Sequence, residues 1–189
     1  MSVAQEACAT ISFAVRLFTA IDIPDDVRAV LRGLLARLRP LANLRWTSIE
    51  NLHITTKFIG DWPEARLGEI QTALRQVVAG PVQIALRGLA WFPNQNRPRV
   101  LLAQVDAGPE LAALASATER ALAAAGVPVE DREYRPHLTL ARVKDRVQLE
   151  ALRPAVEQVG ALGSFRATAQ YLYLSAGGKY TKLGSFALL

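Results

Sequence analysis

The chain has 189 residues, 51% of them apolar and 21% charged, with a formal net charge of +5 and a single cysteine. That balance describes a globular chain able to bury a substantial core, and it excludes a disordered one. One thiol, Cys8, excludes an intramolecular disulfide framework and fits a reducing cytoplasm, and no apolar run reaches the ~18 residues of a membrane span.

In chain order, Met1 to Ser12 lack a basic n-region and a clear apolar h-region, so they read as a flexible N-terminal extension and not a secretory signal. Residues 13–189 read as a single domain of two lobes. Arg16 to Ile23 is the first expected strand. Pro24 opens a helix whose Asp25 and Asp26 suit the N-terminal dipole, with Val27, Val30, Leu31, Leu34, Leu35 and Leu38 at helical spacing. Arg45 to Thr47 and Leu52 to Phe58 follow as strands. Gly60-Asp61-Trp62-Pro63 reads as a turn and helix start, leading into Leu67, Ile70, Leu74, Val77 and Val78. Val82 to Ala90 and Arg99 to Val105 read as a hairpin around a Pro93–Pro98 loop. An alanine-rich helix follows Gly108-Pro109 and closes at Gly126. An irregular charged segment then delivers the strand His137 to Val143. Gln148 to Val159 reads as helix only if Pro154 falls in its first turn. Phe165 to Leu174 and Thr181 to Leu188 complete the list as strands. Helices and strands interleave, but the hairpin signals favour an α+β fold with mostly antiparallel sheets.

Two of these strands stand out. One carries Asn51-Leu52-His53-Ile54-Thr55-Thr56-Lys57-Phe58, the other Arg135-Pro136-His137-Leu138-Thr139-Leu140-Ala141-Arg142. The chain has only two histidines, and both stand in this His-x-Thr pattern. In a strand, residues two apart share a face at about 6.5–7 Å, so each strand sets an imidazole beside a hydroxyl. A lone His-x-Thr is ordinary strand company for Ile and Leu. The matched pair carries the signal. Two imidazoles near neutral pH can act as one proton acceptor and one donor, and threonine hydroxyls can donate to phosphoryl oxygens. The positive balance comes mostly from arginine, whose planar fork suits phosphate. Two histidines and a remote cysteine are too few ligands for zinc, so no metal or other cofactor is expected.

The two motifs resemble the paired signatures of the 2H phosphoesterase superfamily. Within it, the chain is similar to the bacterial RNA 2′,3′-cyclic phosphodiesterase group, often named 2′-5′ RNA ligase. Arg16-Leu17-Phe18 with Ala20-Ile21-Asp22-Ile23-Pro24, the run Lys57-Phe58-Ile59-Gly60, and Phe92-Pro93 with Pro98-Arg99-Val100 extend the likeness over nearly all the chain after Ser12. The resemblance implies a bilobal α+β fold, two mostly antiparallel sheets facing across a central cleft with helices outside. It implies metal-independent hydrolysis of RNA 2′,3′-cyclic phosphate ends, or of cyclic nucleotides, to 2′-phosphomonoesters. His137 would be the proton acceptor and His53 the proton donor, with Thr55, Thr139 and Arg142 on the phosphate. Independently of the resemblance, Phe18 is an aromatic able to stack on a base, though core packing is the commoner use of such side chains. Simple alternation puts Arg142 on the face opposite His137, so it needs a bulge or a strand end to reach the cleft. Thr19 and Thr56 depart from the group's apolar pattern, Thr19 where an aromatic wall near the nucleotide would be thinned. The expected setting is a cytoplasmic monomer. The same site run backwards would join RNA ends as a 2′-5′ linkage, and a binding module without chemistry is the third reading.

Overall fold

A computed structural model of the chain describes residues 13–144 and 147–189. The expected N-terminal extension over residues 1–12 lies outside the described residues. The elements are β1 (Ala14–Asp22), α1 (Asp25–Leu38), β2 (Arg45–Trp46), β3 (His53–Pro63), α2 (Leu67–Arg75), β4 (Val82–Phe92), β5 (Val100–Asp106), α3 (Gly108–Ala124), β6 (His137–Arg142), α4 (Leu152–Glu157), β7 (Ala161–Ala167), β8 (Ala169–Ala176) and β9 (Lys179–Ala187). Among the described residues no helix is long and apolar enough to cross a membrane.

The strands run in the order β7-β4-β5-β6-β3-β1-β8-β9, with β2 on β6, and every pairing is antiparallel. One lobe is thus β3, β1, β8 and β9, and the other is β6, β5, β4 and β7. The α+β, largely antiparallel architecture is as expected, with one correction. The two sheets are not separate: a single bridged pair, Ile54 with Leu138, joins them into one curled sheet. The reason lies in the motif strands themselves. Each is bulged three residues past its histidine, at Thr56 in β3 and at Leu140 in β6, where the partner register skips a residue. Bulges sharpen twist and bend the strand, so β3 and β6 diverge on leaving their one contact.

Helices cross between the lobes. Helix α1 follows β1, yet Val27, Leu31 and Leu35 join Ile84, Leu86, Leu101 and Leu138 in the larger core. Helix α3 follows β5, yet its Leu122 packs with Leu17, Ile59, Ile70 and Leu172 in the smaller one. Each lobe is therefore covered partly by chain that left the other.

Two expected elements end differently. Gly60 to Pro63 is strand, not turn: Gly60 adopts φ +82°, and Leu17, Arg16 and Val15 pair Gly60, Asp61 and Trp62. Long-range pairing with β1, and burial of Trp62 with its indole N–H donating to the Arg66 carbonyl, override the local turn chemistry. Phe165 to Leu174 is not one strand but parts of two, β7 on β4 and β8 on β1, parted at Thr168. Alternation continues through the break, so the sequence does not reveal that the chain changes lobes there. Pro154 does fall in the first turn of a short helix, α4.

The segment that delivers β6 is tied to β3. The Lys57 ammonium, 5% exposed, donates to Glu119 at 2.7 Å and to the Pro128 carbonyl at 2.9 Å, while Glu119 also accepts from the Glu130 amide. Tyr134 donates its hydroxyl to the Thr55 carbonyl at 3.0 Å. Glu119→Ala would leave a buried ammonium without its counter-ion, and a loss of about 3 kcal/mol in urea unfolding is expected. A loss under about 1 kcal/mol, the range of an exposed pair, would mean the clamp carries little.

Candidate active site

Ile54 and Leu138 are fully buried at the bridge, so their neighbours present themselves on the opposite face. Those neighbours are His53, Thr55, His137 and Thr139, all partly exposed. An antiparallel register centred on the bridge runs His53 toward Thr139 and Thr55 toward His137, an approximate two-fold arrangement of four polar side chains. His137 stands near enough that its charge opposes protonation of His53.

Both rings are held in the same way. His53 Nδ1 lies 2.7 Å from the carbonyl of Asn51, and His137 Nδ1 lies 2.8 Å from the carbonyl of Arg135. A carbonyl only accepts, so each Nδ1 carries the hydrogen and the Nε2 of a neutral ring is left as the basic atom. Nε2 of His53 lies 3.0 Å from the Thr55 hydroxyl, which donates to it when the ring is neutral.

His53 is the more enclosed ring. Phe18 lies 4.8 Å from it and Tyr180 meets it edge-on at 5.3 Å. Asp22 stands opposite it in register and accepts from Tyr173 and from Lys182. Asn51 serves twice, since its amide also donates to the Gly178 carbonyl at 2.8 Å and fastens the β8–β9 turn beside the site. Burial lowers the affinity of His53 for a proton and His137 adds to that, against the opposing Asn51 hydrogen bond and the Asp22 charge. The unfolded chain, with an ordinary imidazole near 6.5, then binds more protons than the folded one. Stability contributed by neutral His53 is present above pH 6.5 and is lost as pH falls through the lowered folded value. Urea midpoints measured between pH 7 and 5 should fall, and His53→Gln should flatten that slope; an unchanged slope would show that His53 does not cause it.

The bulge at Leu140 does what alternation alone cannot. Leu140 and Ala141 are both fully buried in succession, so Arg142 emerges exposed on the side of His137. The bulge at Thr56 acts likewise, with Thr56 and Lys57 buried in succession and Phe58 emerging 60% exposed. Phe58 and Arg142 are therefore corresponding positions, five residues past each histidine.

Phe18 is 4% exposed, stacked on Tyr173 and packed against His53, so the open aromatic surface beside it belongs to Phe58 and Tyr180. Thr19 corrects an expectation. It does not line the nucleotide side but is fully buried on the other face of β1, 2.8 Å from the Thr56 hydroxyl. Gln170 donates to Thr56 at 2.6 Å and contacts Thr118. The two departures from the family pattern partner each other in one buried polar network, which satisfies both hydroxyls. Asn51, Asp22, Tyr173, Tyr180 and Lys182 were not singled out from the sequence as site residues. Asn51 and Asp22 stand within quoted runs, Asn51 two residues before a histidine as Arg135 is before the other.

Among the described residues no group of three or more His, Cys, Asp or Glu is arranged to hold a metal ion. A family model, the 2′-5′ RNA ligase superfamily, matches residues 23–179. An RNA 2′,3′-cyclic phosphodiesterase of Methanothermobacter thermautotrophicus is 32% identical over 184 residues, covering 92% of this chain and 99% of its own length. One of Archaeoglobus fulgidus is 35% identical over 129 residues, covering 68% and 73%. Among solved structures, TT0787 of Thermus thermophilus superposes with a TM-score of 0.72 at 27% identity, covering 92% of this chain and 97% of that one. E. coli LigT complexed with 3′-AMP shares the fold, with a TM-score of 0.76 at 24% identity and coverage of 93% and 98%. A superfamily model that spans most of the sequence, and a relative 32% identical that aligns along 99% of its own length, leave one assignment: the chain belongs to the 2′-5′ RNA ligase superfamily of 2H phosphoesterases.

Proposed function

We propose that this chain hydrolyses 2′,3′-cyclic phosphate ends of RNA to 2′-phosphomonoesters with its two histidines as acid and base and no metal. The observation that carries this reading is the pair of imidazoles on one face of one bridged strand pair, each with Nδ1 bonded to the carbonyl two residues before it. His137 Nε2 takes a proton from water, the water oxygen attacks phosphorus, the bond from phosphorus to O3′ breaks, and protonated His53 gives its Nε2 proton to O3′. Thr55, Thr139 and Arg142 donate to the non-bridging oxygens as charge builds on them. Phe58 and Tyr180, backed by Phe18, offer the apolar surface for the nucleoside. The names carried by the relatives, RNA 2′,3′-cyclic phosphodiesterase, support the same activity. The chain would act as a monomer in the cytoplasm, where its single thiol stays reduced.

The test is product analysis on adenosine 2′,3′-cyclic phosphate and on cyclic-ended RNA, with and without EDTA and with and without a 5′-hydroxyl RNA. The expected product is the 2′-phosphomonoester at an EDTA-independent rate. No turnover, or a strict metal requirement, overturns the reading. A dominant 2′-5′ joined product assigns the reverse reaction to the same acid and base.

A further inference from the structure

Strand β6 begins at His137 and ends at Arg142, and a cavity of about 560 Å³ opens at the Arg142 end. Its lining is Arg45, Arg99, Arg142, Val143 and Lys144. Three strands bring these cations together. Arg45 on β2 is the direct cross-strand partner of Arg142, Val100 on β5 pairs Arg142 from the other side, and the Val143 amide donates to the Arg99 carbonyl at 2.9 Å. All four cationic side chains are exposed. Among the described residues no carboxylate forms an ion pair with Arg45, Arg99, Arg142 or Lys144. Single unpaired surface arginines are ordinary. Four cations around one cavity, two of them directly opposite across a strand pair, are not, because like charges so placed repel. An anion in the cavity would reverse that cost, and the guanidinium fork selects a phosphate-like one.

Three residues of strand separate Thr139 from Arg142, about 10 Å before the bulge shortens it. That is within the reach of one nucleotide from a phosphoryl group held at Thr139. In an RNA strand ending in a 2′,3′-cyclic phosphate, the next phosphate hangs from O5′ of the same terminal ribose. We propose that this cavity is a second phosphate subsite, filled by the 5′-phosphodiester of the terminal nucleotide. Arg142 faces both phosphates, and Arg45, Arg99 and Lys144 serve the second alone. The substrate class is then an RNA strand end or a 5′-phosphorylated nucleotide, in preference to a nucleoside cyclic phosphate. This rests on the hydrolase reading given above.

The experiment compares wild type and the double variant Arg45→Gln/Arg99→Gln on adenosine 2′,3′-cyclic phosphate and on the dinucleotide ApA with a 2′,3′-cyclic end. Wild type should favour the dinucleotide roughly 10- to 100-fold in kcat/KM, the range of charge-assisted hydrogen bonds. The variant should lose that preference while its mononucleotide turnover stays unchanged, which also reports an intact fold. Its salt dependence on the dinucleotide should weaken, with the log–log slope smaller by about 0.7 for one phosphate. Equal wild-type values for the two substrates, or an equal loss on both in the variant, overturn the proposal, as does a variant that loses only RNA joining. If wild type turns over neither substrate, the hydrolase reading fails separately. Calorimetric binding of adenosine 2′-phosphate and adenosine 2′,5′-bisphosphate then decides the subsite. The 5′-phosphate should tighten binding to wild type about tenfold and leave the variant indifferent; equal affinities for wild type overturn it.

Discussion

His137→Ala is expected to lower kcat/KM on a 2′,3′-cyclic nucleotide by about 10²- to 10⁴-fold, the range of a positioned general acid or base. The ring is partly exposed and its intramolecular hydrogen bond is to the Arg135 carbonyl, so thermal unfolding should hardly move. His53→Ala should cost a similar factor, with a measurable drop in stability as well, because Phe18 and Tyr180 lose the ring they pack on. The decisive comparison is the double variant. If the two imidazoles serve one displacement, removing the second after the first should cost far less than its single-variant factor. Fully multiplicative losses would mean the rings act independently, and retained turnover in either single variant would remove that ring from the chemistry. The wild-type pH profile should be bell-shaped, because the reaction needs one ring neutral and the other protonated.

Thr55→Val and Thr139→Val form the second large expectation, a fall in kcat of roughly 10²-fold each with little change in KM. Valine keeps the shape and the strand preference and removes only the hydroxyl donor. The two variants should nevertheless differ. Thr55 also donates to Nε2 of neutral His53, so Thr55→Val should shift the pH profile, whereas Thr139→Val should lower it without a shift. Loss confined to KM would recast the threonines as binding groups with no special hold on the transition state.

The bulges explain why some of this was open to sequence reading and some was not. Periodicity located α1 and α3 to within a residue or two, and the strand alternation put Ile54 and Leu138 on the core face. The same alternation sent Arg142 to the wrong face, because a bulge adds a residue without marking the sequence. It also carried the reading straight through Thr168, since a pleat reports which face is buried and not which strand lies alongside. The Thr19–Thr56 contact spans 37 positions and the Lys182–Asp22 contact 160, separations at which no local pattern carries information.

By itself the sequence determined the proposed reacting groups. Two histidines, each followed at the second position by threonine in apolar surroundings, define which side chains share a face, because strand geometry is local and fixed by the backbone. Tertiary structure alone decided that those two faces are the same face of one bridged pair, that Asp22, Phe18 and Tyr180 enclose one imidazole, and that Arg45, Arg99, Arg142 and Lys144 meet around a cavity. The physical reason is that these meetings depend on which strands exchange backbone hydrogen bonds across the whole chain, a choice set by the burial of both cores together and by no short stretch within them.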